Sequence, residues 1–145
     1  MGYIFFGAFT DPDPDLRREF RQRWPDADVV EIAKPFHGLA VRFAEKTWHH
    51  NNVELPGTVT AAMLEISRQL PEVRILLLRT ECFGGDCENW GECIRGGRVV
   101  MNEPYVDSAP EGALRRLISN FGVDIGEREI FEPLSRAFRW NPDNR

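Results

Sequence analysis

RILLLRTECFGGDCENWGECIRGGRVVMNE, residues 74–103, is the stretch on which the fold turns. It opens with Ile75-Leu76-Leu77-Leu78, a short continuous apolar run that fits a strand buried on both sides. Two Gly-Gly pairs follow, Gly84-Gly85 and Gly96-Gly97, twelve residues apart. Each suits a two-residue hairpin loop, because such turns need positive φ and glycine adopts it without steric cost. The spacing predicts three antiparallel strands, Arg74 to Phe83, Asp86 to Arg95 and Arg98 to Glu103, with Cys82 facing Cys87 and Ile94 facing Val99. The same register sets Glu81 opposite Glu88 and Arg95 opposite Arg98, and facing like charges are mildly unfavourable.

Upstream, Tyr3 to Phe9 is apolar on both faces, as in a central strand covered on two sides. Asp13 caps a helix that begins at Pro14, and Leu16, Phe20 and Trp24 recur every four residues on one face until Pro25 stops it. Val29 to Phe36 and Leu39 to Glu45 read as strands joined by the turn Pro35-Phe36-His37-Gly38, and Lys46 to Leu55 as a polar loop. A second helix over Thr58 to Leu70 carries Val59, Ala62, Met63, Ile66 and Leu70 on one stripe, with Pro71 at its end. Downstream, Ser108-Ala109-Pro110-Glu111 matches a capping box ahead of Leu114, Leu117, Ile118 and Phe121, and Gly122 is the stop. Leu134 and Phe138 suggest a short last helix over Pro133 to Trp140.

Strand, helix, strand, strand, helix and then a meander is the order of a split βαβ unit extended by hairpins. The expected fold is therefore α+β: a ferredoxin-like antiparallel sheet plus a C-terminal strand meander, with helices packed on one face. No linker or repeat divides the chain, so residues 1–145 are expected to form a single domain.

The composition narrows function by exclusion. Eighteen Lys and Arg against 23 Asp and Glu leave a net charge of -5 in 145 residues, which speaks against a general nucleic-acid binder. No apolar run approaches the ~20 residues a membrane-spanning helix needs. The apolar segment Tyr3 to Phe9 lacks a preceding basic residue and is followed by Asp11, Asp13 and Asp15, unlike a secretory signal. A cytoplasmic location is the expectation, with Cys82, Cys87 and Cys93 as reduced thiols, although a hairpin brings Cys82 and Cys87 near enough to oxidise.

Candidate chemistry is weakly marked. The three cysteines lack a Cys-x-x-Cys pair, and His37, His49 and His50 lie more than thirty residues upstream, so a zinc site has no local signature. A thiol- or metal-dependent enzyme centred on Cys82 and Cys87 is the enzymatic alternative, but Glu81, Asp86 and Glu88 around them oppose thiolate formation. Phe83-Gly84-Gly85-Asp86 lacks the residues of a phosphate-binding loop. No cofactor is implied.

The most informative segment is Glu81 to Glu92. It holds Glu81, Asp86, Glu88 and Glu92 with no Lys or Arg, and it includes Trp90. An acidic surface around an aromatic anchor suits a basic protein partner, because charge complementarity speeds encounter and the ring supplies affinity. The competing reading turns Trp90 into the core of an ordinary hairpin. Small size, acidity and the lack of an active-site motif make the chain similar, in class only, to bacterial immunity proteins that neutralise a basic toxin by occluding its active site. Small inhibitors and antitoxins share that profile. A structural or assembly subunit, pairing through an exposed sheet edge, is a further alternative.

Overall fold

The computed structural model describes residues 2–48, 54–105 and 112–140. Six strands, β1 (Tyr3–Thr10), β2 (Asp28–Ile32), β3 (Gly38–Arg42), β4 (Ile75–Phe83), β5 (Asp86–Arg95) and β6 (Arg98–Glu103), form one sheet in the order β2-β3-β1-β4-β5-β6. Every neighbouring pair is antiparallel. Helix α1 (Pro14–Arg23) connects β1 to β2 and helix α2 (Gly57–Gln69) connects β3 to β4, so each crossover skips one strand. This is the expected ferredoxin-like split βαβ arrangement, and β5 and β6 carry the sheet onward beyond β4.

The local reasons are those of the chain. Asp13 accepts from the Leu16 amide at 3.0 Å, satisfying one of the free N–H groups at the start of α1, and Pro14 occupies the first helical position. Both hairpin loops have positive φ at both central residues: 61° and 89° at Gly84 and Gly85, 62° and 78° at Gly96 and Gly97. Any side chain there would be strained, and the right-handed twist of the strands favours this turn. The resulting register sets Cys82 opposite Cys87, Glu81 opposite Glu88, Ile94 opposite Val99 and Arg95 opposite Arg98, as expected. An unforeseen irregularity lies between Cys93 and Ile94, whose partners are Met101 and Val99, so Val100 is an extra residue on β6.

Alternation along the strands splits the interior into two layers. On one side Phe6, Ala8, Val41, Ile75 and Leu77 meet Leu16 and Phe20 of α1 and Val59, Met63 and Ile66 of α2. On the other side Phe5, Phe9, Leu76 and Leu78 meet a third helix, α3 (Ala113–Ile118), through Leu114, Leu117 and Ile118, together with Phe121, Phe131 and Trp140. The expectation of helices on one face is thus correct for α1 and α2 and is corrected for α3. The physical reason lies in the strands: β1 and β4 are apolar on both sides, and each exposed Phe or Leu left uncovered would forfeit about 1.5–3 kcal/mol.

Several boundaries differ from the sequence pattern: β3 ends at Arg42 rather than Glu45, where a 3-10 turn, Glu45–Thr47, begins. Phe36 leaves the strand to stack on Phe121, with centroids 4.1 Å apart and planes 7° from parallel, so β2 ends at Ile32. The segment from Pro133 to Trp140 forms only a 3-10 turn, Glu132–Leu134, because the Ser135 side chain accepts from the Ala137 amide at 3.2 Å in place of a helical bond. Gly122, at φ 76°, closes the short helical run through Phe121 as expected. The capping box at Ser108 to Glu111 lies outside the described residues.

Candidate functional site

The β4–β5 hairpin carries all five residues singled out above, and its register decides where they point. Arg79 pairs with Trp90, Glu81 with Glu88, Phe83 with Asp86, and Leu77 with Glu92. Opposed residues share a face and alternate residues return to it. Glu81, Asp86, Glu88, Trp90 and Glu92 therefore all project from the sheet face that α1 and α2 cover further along.

Beneath these carboxylates lies Arg79, 1% exposed. Its guanidinium carbon sits 5.0 Å from the Trp48 ring centroid and 5.3 Å from that of Trp90, with the cation against both π faces. Its Nη2 donates to Glu81 Oε1 at 3.0 Å. Trp90 is itself 3% exposed and meets Tyr105 edge-on at 4.9 Å. It is not an anchor presented to a partner, as the acidic-surface reading expects, but the floor on which the arginine rests. A ring this large stays out of water when it has an apolar wall and a cation to cover.

The four carboxylates differ in setting. Asp86 is exposed at the hairpin end, whereas Glu81, Glu88 and Glu92 are half-buried. Partial burial pushes the Glu92 carboxyl above its ordinary range, since removal of water penalises the charged form. Arg79 compensates Glu81 directly. Asp86, Glu88 and Glu92 supply the outward negative charge.

The opposite face of the hairpin carries different chemistry. Cys82 and Cys87 are joined by a disulfide with Cα atoms 4.0 Å apart, which corrects the expectation of three reduced thiols. Geometry explains it: the pair flanking a two-residue loop is hydrogen-bonded, so the next pair outward is not, and its side chains approach most closely. The bond also removes one support for a cytoplasmic setting, where thiols are kept reduced. Next to it Thr80 Oγ1 donates to Asn89 Oδ1 at 2.7 Å. These residues, with Asp86 and Glu88 bordering them at the hairpin end, floor an open groove of about 1520 Å³, walled by the start of α3 and by the segment from Asp124 to Ser135. Along that wall Arg115 pairs with Asp124 at 2.7 Å and Arg116 with Glu103 at 2.6 Å.

Comparison with family models, curated proteins and solved structures returns no match. The chemistry must be read from the residues themselves. Cys93, the remaining cysteine, is buried against α3, and burial together with the nearby Glu103 pushes its thiol up to about 12. Sulfurs bonded to one another are not nucleophiles, and a thiol that resists ionisation is a poor one. Among the described residues no group of three or more His, Cys, Asp or Glu side chains is placed to hold a metal ion. His49 and His50 lie outside the described residues, and His37 is exposed with its Nε2 2.7 Å from Glu31. Among the described residues no helix is long and apolar enough to cross a membrane.

Arg79 escapes a reading based on the acidic residues alone. The signal was available: an arginine directly following Ile75 to Leu78 can enter a buried strand only with a carboxylate and aromatic rings around it. The groove walls, by contrast, come from segments distant in sequence, and no local pattern announces them.

Proposed function

We propose that the protein is a non-catalytic binding domain that presents the acidic face of its β4–β5 hairpin to a basic protein. The observation that carries this reading is the register, which directs Glu81, Asp86, Glu88 and Glu92 to one side of one hairpin while the cation among them, Arg79, is buried below. Such a face attracts a cationic partner from a distance and discriminates against acidic ones. Arg79 already compensates Glu81, so the charge left for a partner's cations is that of Asp86, Glu88 and Glu92.

The action that suits this face is occlusion. A basic active-site cleft covered by the hairpin would lose access to its substrate, as in the neutralisation of a toxin by an immunity protein, and an interface of about 1,200–2,000 Å² is the scale required. With Trp90 held in the interior, affinity has to come from the carboxylates and from apolar groups at the hairpin end, where Phe83 is 59% exposed.

The test is titration of the ¹⁵N-labelled protein with a lysine-rich peptide at low and high salt. Shifts concentrated at Glu81, Asp86, Glu88 and Glu92, and lost in salt, support the reading. Shifts centred instead on Asp11, Asp13 and Asp15 of the N-terminal region would exclude this hairpin as the binding face.

A further inference from the structure

We propose that strand β6 is a self-association edge, at which a second copy of the chain pairs antiparallel to continue the sheet. β6 is the last strand in the order, and it displays Val99 and Val100 at 40% and 51% exposure. Among the described residues no strand pairs with the outer side of β6, and exposed apolar edges of this kind are templates for strand addition. Pairing through β6 uses none of the hairpin carboxylates Glu81, Asp86, Glu88 and Glu92.

The choice of a second copy rests on the charge pattern of the strand, Arg98-Val99-Val100-Met101-Asn102-Glu103. Antiparallel pairing about a twofold axis between Val100 and Met101 sets Arg98 opposite Glu103 of the second copy, and the reverse. Residues opposed across such an axis must lie on the same face. In a regular strand Arg98 and Glu103, five positions apart, would lie on opposite faces. The extra residue Val100 changes that parity: Arg98 pairs with Arg95 and Glu103 with Gly91, and Arg95 and Gly91 are on the same side of β5. The bulge therefore makes the strand complementary to itself.

The energetics point the same way. Within one molecule Arg98 faces Arg95, which reaches the exposed Glu72 at 3.4 Å, so a carboxylate from the second copy placed against Arg98 would relieve the remaining like-charge repulsion. Glu103 already accepts from Arg116, and a carboxylate has lone pairs for further donors. Because the Arg95–Arg98 pair flanks a two-residue loop, the Val99 N–H and C=O point away from β5 and are placed to start the new ladder. A six-residue edge is smaller than most stable interfaces, so the dissociation constant is expected between about 10 µM and 1 mM.

Sedimentation velocity of the whole chain from about 5 µM to 1 mM tests this, with the mass expected to rise from 16.7 kDa toward twice that value. Arg98→Glu, an exposed substitution that leaves the fold intact, sets like charges at both symmetry-related contacts and should weaken the dimer about tenfold. Hydrogen exchange at the Val99 amide gives a readout without any variant: protection should grow with protein concentration. A monomer at every concentration, a dimer unaffected by Arg98→Glu, or Val99 exchange independent of concentration would overturn the proposal.

Discussion

Arg79 donates to Glu81 across 3.0 Å from a side chain only 1% exposed. The two residues are separated by one position on β4, so both project to the same face, and the ion pair joins the core beneath the hairpin to the carboxylates above it. A buried guanidinium is costly unless it is paired, and here the Trp48 and Trp90 rings and the Glu81 carboxylate share that duty.

Replacing Arg79 by Leu should therefore destabilise the fold, because Glu81 would lose its partner and two rings their filling. Breaking a fully buried pair costs about 3–5 kcal/mol, and the 18% exposure of the Glu81 side chain lets water offset part of that. About 2 kcal/mol is expected, seen as a fall in Tm of roughly 4–8 °C. Adding Glu81→Leu should recover part of the loss; a double variant less stable than the single one would show that the pair is not the source.

Thiol counting separates the bonded cysteines from the free one. Protein purified without reductant should give no rapidly reacting thiol when native, one after denaturation, and three after denaturation and reduction. Two reactive thiols in the native protein would mean that Cys82 and Cys87 are not joined.

Cys93 sets an alkaline limit on stability. Its folded thiol is pushed up from the ordinary 9.0 to about 12, so the folded state favours the neutral form. A raised pKa contributes stability that is fully present below the unfolded value and is lost as pH rises from about 9 through 12. Over that window stability should fall by up to about 1.4 kcal/mol per pH unit. Cys93→Ala should flatten the dependence, and an unchanged slope in urea melts at pH 8 to 11 would remove Cys93 as its origin.

The second face of the sheet depends on a stack far apart in sequence. Phe36 lies on Phe121 at 4.1 Å between centroids and is 9% exposed. Phe36→Ala should cost about 3–5 kcal/mol and loosen the Phe121 and Phe131 region more than α1 and α2. Near-ultraviolet circular dichroism and hydrogen exchange of α3 would report it, and equal loosening of both layers would argue against two separate cores.

The meander was legible because glycine pairs fix turn geometry, and turn geometry fixes register down to the Cys82–Cys87 and Arg95–Arg98 pairs. The α1 boundaries were equally plain from Asp13, Pro14 and Pro25. What the local pattern lacked was long-range packing. Alternation along Ile75 to Leu78 is invisible when all four residues are apolar, so the second layer, with α3 on it, emerges only from the assembled sheet. Trp90 likewise reads as a potential anchor until its pairing with Arg79 places it over a buried cation. The bulge at Val100 follows from no residue preference in β6 and emerges only from the pairing of Cys93 with Met101 and Ile94 with Val99.

The most direct measurement of the acidic-face account is the salt dependence of lysine-rich peptide binding to the native protein and to the Glu88→Lys/Glu92→Lys variant. The account predicts that the variant associates more slowly and that its dependence on salt flattens. It also predicts that native binding weakens on acidification, with Glu92 losing its charge at higher pH than an ordinary glutamate. Equal association rates and equal salt slopes for the two proteins would contradict it.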